Sequence, residues 1–228
     1  MADIICVIGN KGGTGKTTLS HMLCQGMGSL GQRSVCVLTD SDRDPLDPAG
    51  RRYLVADARK GDALAKVSDK IRSLPAWMGV IDGGGNRTEL DRRLYGLADL
   101  VLLPFRDSHE DIRAVVRDLD MFPRAYAIPS QWPMLPWLRE AADRMVAELL
   151  DGYHDRILPP IPALAASKTL LERSLPANLP TPLTSACTDF ARQVMDLLQV
   201  PVGGVATTSE AVNPVRPTAT IRPVALAA

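Results

Sequence analysis

The chain carries no excess of charge of either sign. Its 26 lysines and arginines balance 26 aspartates and glutamates over 228 residues, so the formal net charge is zero. Such a balance gives no global pull toward nucleic acid or an anionic membrane and leaves that role to a local patch. Paired cysteines are also lacking. Cys6, Cys24, Cys36 and Cys187 are scattered and none forms C-x-x-C, a spacing that indicates neither a zinc ribbon nor a disulfide framework. Core thiols in a reducing, cytoplasmic compartment are the ordinary reading for Cys6 and Cys36. No apolar run approaches the roughly 20 residues that cross a bilayer, and no basic stretch followed by an apolar one opens the chain as a secretory leader would. What is present is ordinary for a globular protein: 46% hydrophobic and 23% charged residues, at a length that suits one domain with a tail.

The richest stretch is Gly9-Asn10-Lys11-Gly12-Gly13-Thr14-Gly15-Lys16-Thr17-Thr18. Ile4 to Ile8 precedes it as a short apolar run that predicts a buried strand. Leu19, Met22, Leu23, Met27 and Leu30 follow at helical spacing, with Gly31 placed to cap the helix. Glycines between a strand and a helix let backbone N–H groups turn inward, and the helix start adds unpaired donors and a partial positive charge. This is the chemistry of a phosphate-binding loop. Lys16 is placed to reach the β- and γ-phosphates and the Thr17 hydroxyl to ligate Mg²⁺. Gly12, Gly13, Thr14, Gly15 and Thr18 complete the cradle. The strict motif has a glycine where Asn10 stands, and a second lysine stands at Lys11.

Two acidic stretches follow predicted strands. Ser34 to Thr39 leads into Asp40-Ser41-Asp42-Arg43-Asp44-Pro45, and Trp77 to Ile81 leads into Asp82-Gly83-Gly84-Gly85. Strand, loop, helix and strand make a βαβ unit, which predicts a doubly wound, mostly parallel α/β sheet flanked by helices. In such sheets ligands bind beyond the carboxyl ends of the strands, where both acidic stretches fall. A strand ending in Asp82 is the pattern of a carboxylate that holds Mg²⁺.

Lys-Gly-Gly-Thr-Gly-Lys-Thr-Thr resembles the deviant phosphate loop of the ParA/MinD family of dimeric ATPases, and Ala98-Asp99-Leu100-Val101-Leu102-Leu103-Pro104 resembles that family's next buried strand. The resemblance implies ATP and Mg²⁺ as ligands. It implies that Lys11 reaches across a homodimer to the partner's nucleotide, and that an aspartate of the first acidic stretch helps position metal and attacking water. A count without gaps from Lys16 assigns that aspartate to Asp40, which we favour; aligning on the proline assigns Asp44, and Asp42 lies between. The catalytic set is then Lys11, Lys16 and Asp40, with Thr17 and Asp82 at the metal.

Members of that family segregate plasmids and chromosomes, position cargo or set the division site. A short ParA-type partitioning protein, working with a separate ParB-like adaptor, is the first functional assignment. A MinD-like membrane-cycling regulator and a non-hydrolysing nucleotide-binding module are the alternatives. Non-specific DNA is a candidate partner through Arg139, Arg144, Lys168, Arg173 and Arg192, although these form no dense cluster in sequence.

The rest of the chain says less. Residues 46–76 are poorly patterned, although within them Asp62 to Ile71 predicts an amphipathic helix. Ser108 opens another helix with Ile112, Val115, Val116 and Leu119 on its apolar face. Ala125 to Ile128 predicts a short strand. Pro136 to Leu150 predicts a helix buried along Leu138, Ala142, Met145, Val146 and Leu149. Trp132 and Trp137 are expected to pack under a loop, with base stacking the alternative. The prolines of 156–162 restrict that segment to an edge, and Thr184 to Leu198 predicts a last helix. Residues 1–200 are therefore expected to form the ATPase domain. Residues 201–228, rich in Pro, Thr, Ala and Val, are expected to form a flexible tail whose prolines argue against a membrane-binding helix.

Overall fold

Side chains of the first strand alternate between two layers. Ile5 and Val7 join one buried cluster, Ile4 and Cys6 the other, and all four are buried. This two-sided burial is what a parallel sheet covered on both faces requires. The computed structural model describes residues 2–40, 46–59, 62–84 and 88–200. Its strands are β1 (Asp3–Val7), β2 (Arg33–Leu38), β3 (Leu54–Asp57), β4 (Trp77–Asp82), β5 (Leu100–Phe105) and β6 (Ala125–Pro129). They lie in the order β3-β2-β4-β1-β5-β6, and every neighbouring pair is parallel. The predicted doubly wound α/β sheet is the observed one.

Helices α1 (Lys16–Ser29) and α6 (Thr181–Leu197) cover one face. Helices α2 (Ala63–Arg72), α3 (Thr88–Leu97), α4 (His109–Met121) and α5 (Pro136–Leu149) belong to the other. The α1–α6 contact is the most extensive between helices, and Gly26 makes it possible. A β-carbon there would sit 1.9 Å from the Cys187 carbonyl oxygen of α6, so only glycine allows this approach.

Three elements differ from their sequence reading. β3 falls in the stretch without pattern; its burial is partial at best, and pairing with β2 alone makes it a strand. α3 has no counterpart in that reading, because its sequence is mostly polar and it anchors through the buried Asp91 and Leu94. On α5, only Ala142 of the expected stripe is fully buried, while Leu138 is exposed and Met145, Val146 and Leu149 are half-buried. The helix lies at the margin of its layer and covers the core with one narrow side. Trp132 packs edge-on against Phe105 and donates to Asp143, whereas Trp137 is 66% exposed and packs under nothing. Segment 156–162 makes only isolated bridges, Ala127 to Ile157 and Trp132 to Pro162, as prolines that lack a donor require. The four cysteines are buried and free. Residues 201–228, expected to be a tail, lie outside the described residues, and among the described residues no helix is long and apolar enough to cross a membrane.

Candidate functional site

The sheet brings the carboxyl ends of β1, β2 and β4 to one edge. Val7, Leu38 and Asp82 are register partners there, so the chain leaves the three strands at one level. The glycine loop leaves β1, Asp40 follows β2, and Asp82 closes β4. Thr39 ties the last two together by donating from Oγ1 to the Asp82 carbonyl at 2.5 Å.

The loop encloses a cleft of about 350 Å³ lined by residues 12–18 together with Asp40, Gly84 and Gln131. Gly15 ends the loop at φ 92°, a left-handed conformation natural to glycine. A β-carbon there would lie 3.0 Å from Ser130 Oγ and 3.3 Å from Gln131 Nε2. Ser130 in turn donates from Oγ to the Thr14 carbonyl at 2.5 Å. The turn after β6 thus closes the cleft from the side opposite Asp40. Gln131, itself at φ 53°, also lines a second cleft of about 680 Å³ with Thr18, residues 163–165, Ser167, Lys168, Leu171 and Glu172. The two clefts meet at Thr18 and Gln131.

Lys16 is buried beneath the loop, and Nζ donates to the carbonyls of Gly9 at 3.0 Å and Lys11 at 2.7 Å. Burial lowers its pKa, opposed by the nearby carboxylates of Asp91, Asp82 and Asp118. Thr17 is buried on the cleft wall. Asp82 is fully buried, near Lys16 but not part of the wall. Lys11 also stands off the wall. Its Nζ pairs with Glu110 of α4 at 2.5 Å, and this bond raises the Lys11 pKa. Asp40 is on the cleft wall; Asp42 and Asp44, the other two candidate switch aspartates, lie outside the described residues.

The cleft fits a phosphate chain: it has a buried ammonium, an open glycine loop and the start of a 14-residue helix. Among the described residues no group of three or more His, Cys, Asp or Glu forms a cation cage.

Asp91 is the site residue that sequence reasoning missed. It is fully buried on α3 near Lys16 and Gly9. Burial pushes its carboxyl up to about 6, against the pull of Lys16 and the Gly9 amide. The folded chain therefore holds the Asp91 proton more tightly than the unfolded one. The stability this supplies is complete below pH 4 and is lost as pH rises through about 6. Asp91→Asn, which does not ionise, should escape that loss. Its melting temperature relative to the wild type should climb between pH 4 and 6 and then level off; a constant difference across that range would remove the buried charge from the account.

Asn10, at the position of the strict motif's first glycine, donates from its N–H and side-chain amide to Asp118 of α4 at 3.2 and 2.7 Å. The basic candidates are not gathered. Arg139 and Arg144 stand on α5, and Arg192 on α6 covers the opposite face of the sheet. Arg139 and Arg192 each pair with an aspartate on their own helix. Lys168 belongs to the second cleft.

No family model and no curated sequence matches the chain. Its fold, however, is that of the ParA/MinD-type phosphate-loop ATPases. McdA of Cyanothece, as an aspartate-to-alanine variant complexed with ATP, matches at TM-score 0.64 and 16% identity, over 88% of this chain and 97% of that one. MinD of Aquifex aeolicus in complex with MinC matches at TM-score 0.62 and 17% identity, over 86% and 96%. Cobyrinic acid a,c-diamide synthase of Mycobacterium smegmatis, with bound ADP and magnesium, matches at TM-score 0.59 and 15% identity, over 87% and 96%. A cell division protein and a synthase thus share this architecture, so the fold alone does not assign an activity.

Proposed function

We propose that residues 1–200 form a Mg²⁺-dependent ATPase domain that pairs into a homodimer on binding ATP and acts as a slow switch in positioning or partitioning cargo. Plasmid or chromosome segregation is our first assignment, with residues 201–228 as an appended tail. The observation that carries this reading is the cleft at the carboxyl edge of the sheet, where residues 12–18 and Asp40 converge with Lys16 and Thr17 buried. McdA with bound ATP and the synthase with ADP and magnesium support ATP and Mg²⁺ as its ligands.

Bound ATP and Mg²⁺ would supply the transferable phosphoryl group and the cation that neutralises its charge. Phosphoryl transfer then asks the protein for positioning and electrostatics rather than covalent chemistry. Lys16 and the amides of residues 12–18 hold the phosphates in cis. Thr17 and Asp82 hold the metal. Asp40 orients the attacking water. Lys11 completes the site from the second copy, which couples pairing to the γ-phosphate. The second cleft, with Gln131, Lys168 and Glu172 on its walls, receives the base.

A separate adaptor, ParB-like in the partition reading, is the partner we assign; MinD in complex with MinC is the precedent on this fold. Non-specific DNA is a second assigned partner, with a cytoplasmic, nucleoid-associated location. Light scattering of the full chain with Mg²⁺ and a non-cleavable ATP analogue should give twice the mass found with ADP, and DNA should co-sediment only in the ATP state. A monomer under both nucleotides would overturn the switch.

A further inference from the structure

Residue 11 is held at both ends. Its main-chain carbonyl accepts from Lys16 Nζ at 2.7 Å and from Thr14 Oγ1 at 3.4 Å. Its side chain is held by Glu110, in the first turn of α4, at 2.5 Å. Asn10 beside it is tied to the same helix through Asp118. Glu110 and Asp118 are eight residues apart on α4, a little over two turns, so one helix grips both positions where this loop departs from the strict motif.

The two ends of residue 11 are held by different kinds of bond. The main-chain hold comes largely from Lys16, whose ammonium would leave the Lys11 carbonyl for an incoming phosphate. The side-chain hold is independent of the cleft, since neither Lys11 nor Glu110 lines it. A Lys11 ammonium paired with Glu110 on its own chain is not free to reach a nucleotide on another. Water competes for the pair, with the Lys11 and Glu110 side chains 36% and 77% exposed, so it is weak enough to break reversibly.

We propose that Glu110 is a positioning residue that latches Lys11 to its own chain and so sets how readily two nucleotide-loaded copies join. The proposal rests on the reading of Lys11 as the group that one copy lends to the other. Phosphate binding in cis releases the main-chain hold, and breaking the Lys11–Glu110 pair in each copy then accompanies pairing. An exposed ion pair is worth about 1.4- to 5-fold in an equilibrium constant. Two are broken per dimer, so removing the latch should tighten dimerisation by roughly twofold to thirtyfold.

The test is sedimentation equilibrium of the full chain with Mg²⁺ and a non-cleavable ATP analogue, for the wild type, Glu110→Gln and Glu110→Asp. Both variants should dimerise at several-fold lower protein concentration than the wild type. Glu110→Asp keeps an acid at the helix N-terminus but shortens its reach, so a role confined to supporting α4 would leave that variant like the wild type. The advantage of both should shrink in 0.5 M salt, where the wild-type pair is screened. The Lys11 amine, followed by NMR without nucleotide, should titrate at lower pH in Glu110→Gln. A wild type that dimerises, with both variants matching it or with an unchanged amine titration, overturns the latch and leaves the proposed switch intact. A wild type that stays monomeric at every concentration overturns the switch and the latch together.

Discussion

Lys16→Ala is expected to remove measurable ATP binding. Truncating one partner of a buried charge pair costs about 2–5 kcal/mol, roughly 30- to 5,000-fold in Kd. Lys16 is such a partner, buried under the loop that would hold the phosphates. In the structure its ammonium rests on the Gly9 and Lys11 carbonyls, groups of its own loop that an anion can replace. The same charge also faces Asp91, Asp82 and Asp118, so the variant's thermal melt must be recorded beside its titration with a fluorescent ATP analogue. Lys16→Met, which keeps the bulk of the side chain, should lose binding to the same extent. A Kd within threefold of the wild type in either folded variant would place the phosphates elsewhere.

Lys11→Ala should behave in the opposite way, retaining nucleotide and losing turnover. Lys11 is half exposed, stands off the cleft wall and holds no buried contact by its side chain. Its removal should leave the thermal melt close to that of the wild type, as for most surface positions. A cation supplied in trans to a transferring phosphoryl group is worth about 10³–10⁵ in rate, so kcat should fall about a thousandfold or more. The split is the diagnostic: Kd for ATP unchanged in the monomer, with single-turnover hydrolysis abolished. Undiminished turnover would confine the reaction to one chain and leave Lys11 without a catalytic part.

The parts of the fold that could be read from the sequence share a physical property. β1, β2, β4 and β5 are buried runs whose patterns survive any arrangement of the remainder, and α1 announces itself by its spacing and by Gly31. β3 could not be read that way. Its four residues are exposed or half-buried, and they are extended only because β2 offers an unpaired edge. Hydrophobic pattern reports burial, and an edge strand has little of it. α3 escaped for a related reason: it contributes a carboxylate, Asp91, to the interior, and a lone buried acid looks like any surface acid in the sequence.

The candidate site divides along the same line. Glycines, Lys16 and Thr17 are contiguous, so their chemistry depends on local backbone geometry and was open to inspection from residues 9–18 alone. Asp82 and Asp40 came from strand ends, one step less local. Glu110, Asp118 and Gln131 meet the loop from about a hundred residues away, and no spacing rule links positions that far apart. The sequence by itself determined a phosphate-loop sheet and the ammonium at its centre, because short-range sterics and hydrophobic periodicity specify both. Only the tertiary structure decided that the second lysine is gripped by an acid on α4 and that Asp91 lies under the loop. Those are contacts between distant segments, chosen by how layers pack rather than by the preferences of any one stretch.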